Sequence, residues 1–432
     1  MTRYVGLDVH KRFIVACGLN PDGTVAFRDR FDCTPQAIVQ FGQNTLTRDD
    51  HVALEVTTHS TAVARLLIPL VGRVVVSNPT RTKAIAAATV KTDSVDARTL
   101  ADLLRSNYLP EVWMPDFDTE RLRRIVSLRA QLTGTRTRYI NRIRSILQQL
   151  MITPPARRLD ARAARHMLET AQLPASERLE IDTLLHLIDA TTNRIDQVDA
   201  TIATMAEEIH EVRLLMTLPG IGALGAVALW SAIGDISRFP SANHLVGYLG
   251  VAPRIKQSGN HAWYGKITKA GAKEARRLLV LASIHLKTHD GPLGDFYRRL
   301  RAHKHGSVAA VAAARKMVEI AFHMLKNNEP YRYAQPERTQ AKLDKIHTVA
   351  TGTRRERTPV KVAAEHEEPK PTEPGYRREV RRSLNEVYER VGLPLISWDK
   401  LPAGERKATA RTAEYIESLK VNRAIYRKIC AD

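Results

Sequence analysis

Two carboxylates, Asp93 and Asp96, stand three positions apart in the stretch from residue 91 to residue 105. Apolar residues recur around them at helical spacing, so the stretch is predicted to form a helix that carries both carboxylates on one face. The apolar positions are Ala97, Leu100, Ala101, Leu103 and Leu104. Two carboxylates this close repel each other unless a divalent cation lies between them. The pair is therefore a candidate ligand set for a hard metal ion, although a solvated acidic helix face has the same pattern.

The elements around this helix supply further acids in a defined order. Apolar runs, turn residues and helix-start signals predict a three-stranded meander followed by helix, strand, helix, strand and two helices. The predicted bounds are 4–9, 13–19 and 25–31 for the meander, then 34–46, 51–56, 60–71, 73–77, 83–88 and 93–105. This is the order of the RNase H-like fold, in which the first strand, the fourth strand and the last helix meet at one edge of the sheet.

That order would bring four acids together. Asp8 lies on the first predicted strand, Glu55 at the end of the fourth, and Asp93 with Asp96 on the final helix. Such a cluster would hold one or two Mg²⁺ ions, which activate an oxygen nucleophile and stabilise charge on phosphorus. The combination therefore predicts a metal site for phosphoryl transfer, whereas each acid alone would suit a solvent-exposed strand end.

The charge balance indicates a polyanionic partner. The 432 residues include 66 lysines and arginines against 46 acidic residues, a formal net charge of +20, and 44% of the chain is hydrophobic. We therefore expect two or three globular domains and an extended polyanion, nucleic acid, as partner. Cys17, Cys33 and Cys430 are too few and too scattered for a disulfide framework or a zinc site, so a reducing interior is expected. No signal peptide and no membrane-spanning segment are expected, because no apolar run is long enough.

An arginine-rich segment between residues 121 and 159 contains no acidic residue. Its arginines are Arg121, Arg123, Arg124, Arg129, Arg136, Arg138, Arg142, Arg144, Arg157 and Arg158. Apolar residues at helical spacing predict a helix with arginine around the polar side. Solvated faces normally mix both signs of charge, so this helix is predicted to contact nucleic-acid phosphates with strongly salt-dependent affinity.

A heptad pattern runs from Ile181 to Val212, with steps of three and four residues between its positions. The positions are Ile181, Leu184, Ile188, Thr191, Ile195, Val198, Ile202, Met205, Ile209 and Val212. This spacing is typical of a coiled coil. It fits a homo-oligomeric coil and also an intramolecular hairpin with the arginine-rich helix. We favour oligomerisation, but the pattern alone does not decide between them.

A glycine-rich turn follows at Leu218-Pro219-Gly220-Ile221-Gly222. It contains a literal G-x-G-x-x-G, but a long helix precedes it rather than a strand, so a dinucleotide-binding motif is excluded. The turn instead predicts a helix-hairpin-helix-like motif, in which backbone N–H groups at Gly220 and Gly222 hold a nucleic-acid phosphate. A plain turn between two helices is the alternative.

A serine, Ser258, lies in a glycine-bounded basic stretch that is predicted to be a loop. The cations around and after it are Arg254, Lys256, Lys266, Lys269, Lys273, Arg276 and Arg277. A serine in such a loop is usually a phosphate contact or a turn former. It can attack phosphorus only if its hydroxyl is deprotonated or the phosphate is strongly polarised.

Five motifs together resemble those of a known family. They are V-G-L-D-V-H-K at 5–11, L-E-V-T at 54–57, K-T-D-S-V-D-A at 91–97, L-P-G-I-G at 218–222 and G-V-A-P-R-I-K-Q-S-G at 250–259. In this order they are similar to the DEDD transposases of the insertion-sequence-110 family, which includes Piv-like DNA invertases. The resemblance spans residues 4–335, and departs from the family at Thr58 and Ser60, where the family usually has glycine and an aromatic residue.

The resemblance implies a specific machinery. An RNase H-like (RuvC-like) domain would bind Mg²⁺ through Asp8, Glu55, Asp93 and Asp96, and Ser258 would be a nucleophile that forms a covalent phosphoserine link to DNA. It further implies a composite site between protomers of a dimer or tetramer that assembles through the coiled coil. A structured guide RNA, the bridge RNA, would pair with donor and target DNA, in the nucleoid-containing cytoplasm of a bacterium or archaeon.

The expected organisation is α/β plus α in four segments. Residues 1–110 would form the RNase H-like catalytic domain and 111–213 the arginine-rich helices and coiled coil. Residues 214–335 would form a mostly helical transposase domain. Residues 336–432 would form a basic linker at 353–375 and a mostly helical extension.

The sequence therefore predicts a mobile-element recombinase. Two alternatives remain open: a metal-dependent junction nuclease in which water attacks and Ser258 is only a contact, and a catalytically silent nucleic-acid-binding scaffold. The first would leave free DNA ends, and the second would never change the connectivity of DNA.

Overall fold

The computed structural model describes residues 1–85, 92–154, 159, 161–259, 261–353, 376–399 and 405–428, without the side chains of 264, 376–380, 406 and 425–428. The chain divides into two compact units, Met1–Asp116 and Phe117–Asp432, and each contains a hydrophobic core. Among the described helices, none combines the length and the apolar character that crossing a bilayer requires.

The first unit is a mixed five-stranded sheet with helices. Its elements are β1 (Tyr4–Val9), β2 (Phe13–Leu19), β3 (Val25–Asp32), α1 (Pro35–Asn44), β4 (His51–Glu55), α2 (Ser60–Leu67), β5 (Arg73–Ser77), α3 (Pro79–Ile85) and α4 (Asp93–Arg105). The strand order is β3-β2-β1-β4-β5. β1, β4 and β5 are parallel, while β2 runs antiparallel to both of its neighbours. The α/β class and the order of the elements agree with the prediction.

One helix begins earlier than predicted. The sequence pattern indicated a helix from residue 83, but α3 begins at Pro79. The Asn78 side chain accepts hydrogen bonds from the backbone N–H groups of Thr80 (3.1 Å) and Arg81 (3.3 Å), and proline suits the first helical turn. The predicted end of this helix, residues 86–88, lies outside the described residues, as does Lys91 of the acidic motif.

The two faces of β1 bury different partners. Val5, Leu7 and Val9 face a core that includes Phe41 of α1 and Leu67 of α2. The alternate residues of the strand face α4, because side chains along a strand point to opposite faces in turn. The sheet therefore offers one face to a conventional core and the other to the helix that carries Asp93 and Asp96.

The second unit is largely helical. Its elements are α5 (Phe117–Gln149), α6 (Arg162–Thr170), α7 (Ala175–Glu208), α8 (His210–Met216), α9 (Ala223–Ile233), α10 (Ala242–Tyr248), β6 (Pro253–Ser258), β7 (His261–Ile267), α11 (Lys273–Ile284), α12 (Pro292–His303), α13 (Gly306–Asn327), α14 (Pro336–Thr351), β8 (Tyr376–Arg381), α15 (Leu384–Arg390), α16 (Arg406–Ala410), α17 (Ala413–Lys420) and β9 (Arg423–Lys428). Its main core joins α8, α9, α10 and α13, through residues such as Leu215, Leu229, Leu245 and Met317.

The heptad seam of α7 packs against α5 of the same chain. Ile181 and Ile188 share a core cluster with Ile143 and Leu147 of α5, and two ion pairs flank the antiparallel contact. These pairs join Arg142 to Glu180, and Arg129 to Asp199 with Nε–Oδ1 at 3.0 Å. The intramolecular hairpin, the alternative that ranked second from sequence, is thus what this chain forms. The seam also ends early, because the helix breaks at Ile209 before Val212.

The C-terminal extension contains strands as well as helices. β8 and β9 pair antiparallel from Tyr376 with Lys428 to Arg381 with Arg423, so the expectation of a mostly helical segment was incomplete. Pairing between strands this far apart in sequence leaves no local pattern to read. Between them, Tyr388 is fully buried and donates its hydroxyl to the Tyr331 carbonyl at 2.7 Å. Most of the predicted linker, residues 354–375, lies outside the described residues.

Candidate metal centre and serine hairpin

The position of α4 on the sheet follows from a glycine. At Gly6 a Cβ atom would lie 1.9 Å from the carbonyl oxygen of Ala97, so only glycine allows the helix this close to β1. Ala97 and Ala101 are fully buried at this contact. Asp8 lies two residues after Gly6 on the same strand face, and Asp93 lies four residues before Ala97 on the same helix face. The close packing therefore aligns the two acids.

A histidine lies between these two carboxylates. His10 Nε2 is 3.0 Å from Asp8 Oδ2 and 3.4 Å from Asp93 Oδ1. One potential ligand atom from each of the three residues falls within 4.8 Å of the other two, in the part of the chain that the structure describes. The imidazole stacks on Phe13 with ring centroids 4.6 Å apart, which fixes its orientation. We call Asp8, His10 and Asp93 the acid–histidine group.

The electrostatics of the acid–histidine group disfavour an ionised Asp8. Burial raises the pKa of the Asp8 carboxyl above its ordinary value, while His10 opposes this rise and the carboxylates of Asp93 and Asp96 add to it. Asp96 is therefore close enough to act on Asp8. A cation bound to the group would relieve this repulsion.

The first turn of α4 favours negative charge. The Thr92 hydroxyl caps the helix by accepting a hydrogen bond from the Val95 N–H at 3.3 Å. Asp93 and Asp96 lie in the first turn, where the positive end of the helix dipole offsets part of their repulsion. The helix start therefore lets two carboxylates stand side by side.

Glu55 is adjacent to Asp8 in the sheet but outside the acid–histidine group. In the parallel pairing of β1 with β4, Leu7 is the partner of Leu54, so Asp8 and Glu55 are the next residues on neighbouring strands. Their register puts them on the same face of the sheet. The structure thus brings Asp8 and Asp93 into one group, has Asp96 acting on Asp8, and leaves Glu55 on the adjoining strand.

The donor atoms suit a divalent cation. Carboxylate oxygens are the ligands that Mg²⁺ and Mn²⁺ prefer, and an imidazole nitrogen also suits Mn²⁺ and heavier ions. Asp8 Oδ2 and Asp93 Oδ1 offer the oxygens, and His10 Nε2 offers the nitrogen. The residues present therefore fit a metal ion.

Ser258 lies at the tip of a β-hairpin, not in an irregular loop. It is the last residue of β6 and pairs with His261, the first residue of β7. Gly259 between them has φ +55°, a conformation that glycine adopts without strain. The sequence predicted a loop here because the strand is exposed on both sides and has no apolar alternation. The hairpin presents the serine at an exposed end.

The predicted phosphate contacts Arg254, Lys256, Lys266 and Lys269 are solvent-exposed, whereas Arg276 downstream is half-buried. Arg254 and Lys256 lie on β6, Lys266 lies on β7, and Lys269 follows it. The Arg254 guanidinium reaches the Thr268 carbonyl only at 3.5 Å. Trp263 on β7 is 61% exposed, which is unusual for so large an apolar side chain. Exposed cations beside an exposed indole are typical of nucleic-acid-binding surfaces.

The glycine turn between α8 and α9 is held by a buried lysine. Lys342 Nζ donates to the carbonyls of Met216, Leu218 (3.0 Å) and Ile221 (3.1 Å), and burial lowers its pKa to about 7. Gly220 has φ +74°, and a Cβ there would lie 2.4 Å from the Ala282 carbonyl oxygen. Gly220 is thus required for packing.

Gly222 occupies a different environment from Gly220. It is the N-cap of α9 without a side-chain cap, and a Cβ there would meet open space. The N-terminal N–H groups of α9 are therefore the part of the turn that is suited to a phosphate.

The predicted phosphate-binding arginines of α5 divide into three groups by their contacts. Arg123 donates to the carbonyls of Ser231 (2.7 Å) and Ala232 (3.3 Å) at the end of α9, a structural role. Arg124 and Arg142 form exposed ion pairs with Glu120 and Glu180. The others, Arg121, Arg136, Arg138 and Arg144, are exposed or half-buried along the helix, while Arg157 and Arg158 lie outside the described residues.

Comparison with known proteins decides the family. A profile of IS110-type DEDD transposases, described as "Transposase", matches residues 5–152. A second profile, described as "Transposase IS116/IS110/IS902 family", matches residues 212–298. The chain belongs to the IS110 transposase family. It is therefore an enzyme that cleaves and rejoins DNA, and its substrate is DNA.

Relatives of the IS110 family carry names that agree with this membership. The chain is 26% identical over 298 residues to "Insertion element IS110 uncharacterized 43.6 kDa protein" of Streptomyces coelicolor, covering 57% of this chain and 73% of the relative. It is 26% identical to "Transposase for insertion sequence element IS1111A" of Coxiella burnetii, covering 56% and 68%. It is 33% identical to "Pilin gene-inverting protein" of Moraxella bovis, covering 35% and 48%.

Sequence reasoning overlooked His10 in this IS110-family chain. The signal was available, because residues 8 and 10 lie on the same face of a strand by alternation. It was missed because a histidine next to a lysine at a strand end is commonplace on protein surfaces. Only the position of α4 brings Asp93 Oδ1 to within 3.4 Å of that ring.

Proposed function

We propose that the protein is an RNA-guided transposase that cuts and rejoins DNA by metal-dependent phosphoryl transfer with Ser258 as nucleophile. The observation that carries the proposal is the acid–histidine group, in which two carboxylates 85 positions apart in sequence meet at one sheet edge within reach of a single cation. Isolated acids on a surface have no reason to converge in this way against their mutual repulsion.

The metal ligands proposed are Asp8, Glu55, Asp93 and Asp96, with His10 as an additional nitrogen donor. We expect one or two Mg²⁺ ions, which when bound would polarise the scissile phosphate and stabilise its developing charge. A bound ion would neutralise the charge of Asp93 and Asp96 and so lower the free-energy cost of ionising Asp8. In the metal-free protein, His10 Nε2, oriented by the stacking on Phe13, lies between the Asp8 and Asp93 carboxylates.

The cleavage step uses the Ser258 hydroxyl. Its Oγ forms a bond to phosphorus while one P–O bond of the DNA backbone breaks, so the DNA becomes attached to the protein through a phosphoserine. Rejoining reverses the exchange, as a DNA hydroxyl displaces the serine oxygen. Because the bond energy stays in the phosphoserine link, rejoining needs no external energy source. The exposed hairpin tip supports this role, since a nucleophile must reach a bulky substrate.

The first unit supports assignment to the RNase H-like (RuvC-like) fold. Its strand order and its acids on β1, β4 and α4 are those expected for such a catalytic domain. Residues 1–110 would then be the catalytic domain, 111–213 the helical arm, 214–335 the transposase domain and 336–432 a basic extension. A homo-oligomer that combines acids and Ser258 from different protomers is part of the proposal.

Guide RNA and DNA would bind the basic surfaces of the second unit. The net charge of +20 and the exposed arginines of α5 support a polyanion in addition to the DNA substrate. The contacts proposed are Arg121, Arg136, Arg138, Arg142, Arg144, Arg254, Lys256, Lys266 and Lys269, with the turn at Gly220 and Gly222. Arg123, Arg124 and Arg142, which are all bonded within the chain, would contribute less.

A second candidate is a water-using nuclease of the junction-resolving type. It is favoured by the fact that the acid–histidine group belongs entirely to the first unit, whereas Ser258 belongs to the second. Metal and acids suffice for hydrolysis by water. This candidate predicts free DNA ends and indifference to loss of the Ser258 hydroxyl.

The metal site is tested by changing one acid of α4. Asp93→Asn should lower Mg²⁺-dependent recombination of a plasmid carrying the DNA that flanks the gene by at least about 100-fold, since removing a direct ligand costs more than removing a ligand's neighbour. Asp102→Asn is the matched control on the same helix, where the carboxylate pairs with Arg98 at 3.6 Å. Equal activity of both variants would contradict the metal site.

A further inference from the structure

The β6–β7 hairpin sets a histidine directly opposite Ser258. Ser258 ends β6, His261 begins β7, and the two are cross-strand partners on either side of the turn. Directly opposed residues of an antiparallel pair lie on the same face with Cβ atoms about 4.5–5.5 Å apart. Rotation of the two side chains alone therefore brings the imidazole within hydrogen-bonding reach of the serine hydroxyl.

The same face of the hairpin carries a cation and an exposed aromatic ring. Lys256 pairs with Trp263, two positions from the Ser258–His261 pair, so all four residues share one face. The rings of His261 and Trp263 are 6.1 Å apart, which agrees with this arrangement. The opposite face carries the pair of Gln257 with Ala262, neither of which exchanges a proton. In the two pairs next to the turn, the side chains able to exchange a proton are therefore those of Ser258 and His261.

Neither reactive group is engaged elsewhere in the part of the chain that the structure describes. The Ser258 hydroxyl and the His261 imidazole are exposed and make no hydrogen bond to another described residue. A serine hydroxyl is a weak nucleophile until an adjacent base takes its proton. In substrate-free enzymes the bond between nucleophile and base often forms only when substrate binds.

We propose that His261 is the general base of DNA cleavage and the general acid of rejoining. This rests on the proposed function, in which Ser258 is the nucleophile. In cleavage, the imidazole takes the Oγ proton as the Oγ–P bond forms, one P–O bond of the DNA breaks, and the leaving DNA oxygen takes a proton from water. In rejoining, a DNA hydroxyl attacks phosphorus and loses its proton to water, the Oγ–P bond breaks, and the imidazolium returns its proton to Oγ.

The two half-reactions should depend on pH in opposite directions. Cleavage needs neutral His261 and becomes faster as pH rises, whereas rejoining needs the protonated ring and becomes slower. Histidines exchange this proton between about pH 5 and 8. The charged residues near the ring are Lys256 on its face and Arg254 and Lys266 further along the strands. Lysine and arginine side chains in general carry their positive charge throughout that range.

The test measures single-turnover formation of the protein–DNA adduct with Mg²⁺ from pH 5.5 to 8, using DNA that flanks the gene. His261→Ala should lower the rate by about 100-fold or more, flatten the pH profile and regain part of the rate when free imidazole is added. The control is His244→Ala, which removes an exposed histidine bonded to Ser241 Oγ at 2.9 Å and should leave rate and profile unchanged.

Two outcomes would overturn the proposal, and they are distinguishable. If Ser258→Ala abolishes the adduct but His261→Ala keeps the wild-type rate and pH profile, Ser258 is the nucleophile and His261 is not its base. If Ser258→Ala still forms the adduct, the serine mechanism itself fails and the proposal fails with it. A slow His261→Ala variant with an unchanged pH profile and no imidazole rescue would indicate a structural role and also overturn it.

Discussion

At the scale of single residues, two aspartates of the first unit show how surroundings set function. Asp50 is fully buried, yet Arg3 donates to both of its oxygens at 3.0 and 2.6 Å. Burial opposes ionisation, but these bonds and the Thr47 N–H hold the pKa of Asp50 below its ordinary value. Burial raises the pKa of Asp8, His10 opposes this rise, and the carboxylates of Asp93 and Asp96 add to it. The ionised Asp50 carboxylate therefore stabilises the fold, whereas ionisation of Asp8 destabilises it.

The two pKa shifts have opposite signs, so in metal-free protein the substitutions of Asp8 and Asp50 should change stability in opposite directions. A carboxyl group whose pKa is raised by folding favours the folded protein at low pH, and this stability is lost as the pH rises through the raised pKa. Ionised Asp8 is therefore destabilising near neutrality. Asp8→Asn should therefore raise Tm at pH 7 in the presence of EDTA, with a smaller gain near pH 4.5, while abolishing DNA cleavage. Scanning calorimetry at the two pH values measures this.

Asp50→Asn serves as the matched opposite. A lowered pKa gives stability that is present above the ordinary value, so removing this carboxylate should cost about 2–4 kcal/mol at pH 7 because Arg3 loses its partner. If Asp8→Asn lowered Tm as Asp50→Asn does, the raised pKa of Asp8 and the repulsion within the acid–histidine group would both be wrong.

At the scale of elements, the contact of α4 with β1 is what builds the site. Gly6 permits the approach, and Ala97 and Ala101 complete it with small side chains. The contact aligns Asp93 with Asp8 one helical turn beyond the glycine. The geometry of the proposed metal site therefore depends on a residue that has no side chain.

Gly6→Val should separate the two elements. Its Cβ alone would overlap the Ala97 carbonyl, so α4 must move, which we expect to cost about 1–3 kcal/mol or more in stability and to abolish Mg²⁺-dependent cleavage. Gly134→Ala in α5 is the control, since a Cβ there meets nothing within 4 Å and should stabilise by about 0.5–1 kcal/mol. Urea unfolding and a cleavage assay measure both. A fully active Gly6→Val would contradict the role of this contact.

How far the sequence predicts these elements depends on where their signals lie. The strands of the meander and α4 were predicted almost to their ends, because turns, caps and apolar spacing are local. The order of elements along the chain predicted that Asp8 and Asp93 converge, and the role of the four acids as metal ligands stays a prediction. The hairpin that carries Ser258 was read as a loop, because both of its faces are exposed and strand pairing leaves no periodic trace. His10 was overlooked because its partner Asp93 lies on a distant element.

At the scale of the whole molecule, the heptad seam shows a limit of pattern reading. Apolar residues at every third or fourth position indicate that one face of a helix is buried. They do not indicate whether the covering helix belongs to the same chain or to another. In α7 they are covered by α5, and Ile181 and Ile188 are already buried there. A second copy of the chain would therefore have to bind the outer surface of the α5–α7 hairpin rather than the seam. Oligomerisation stays a prediction, by way of a different surface.

The central claim is that a serine, acting with metal-bound acids, exchanges one DNA backbone bond for a phosphoserine bond. Its most direct test is a denaturing gel of the protein with end-labelled DNA from the flanks of its gene and Mg²⁺, followed by mass spectrometry of the attachment site. We predict an adduct on Ser258 that is absent in Ser258→Ala and Asp93→Ala and present in Ser237→Ala, an exposed serine control bonded to Asp235. Cleaved DNA without an adduct, at an unchanged rate in Ser258→Ala, would contradict the account and establish water as the nucleophile.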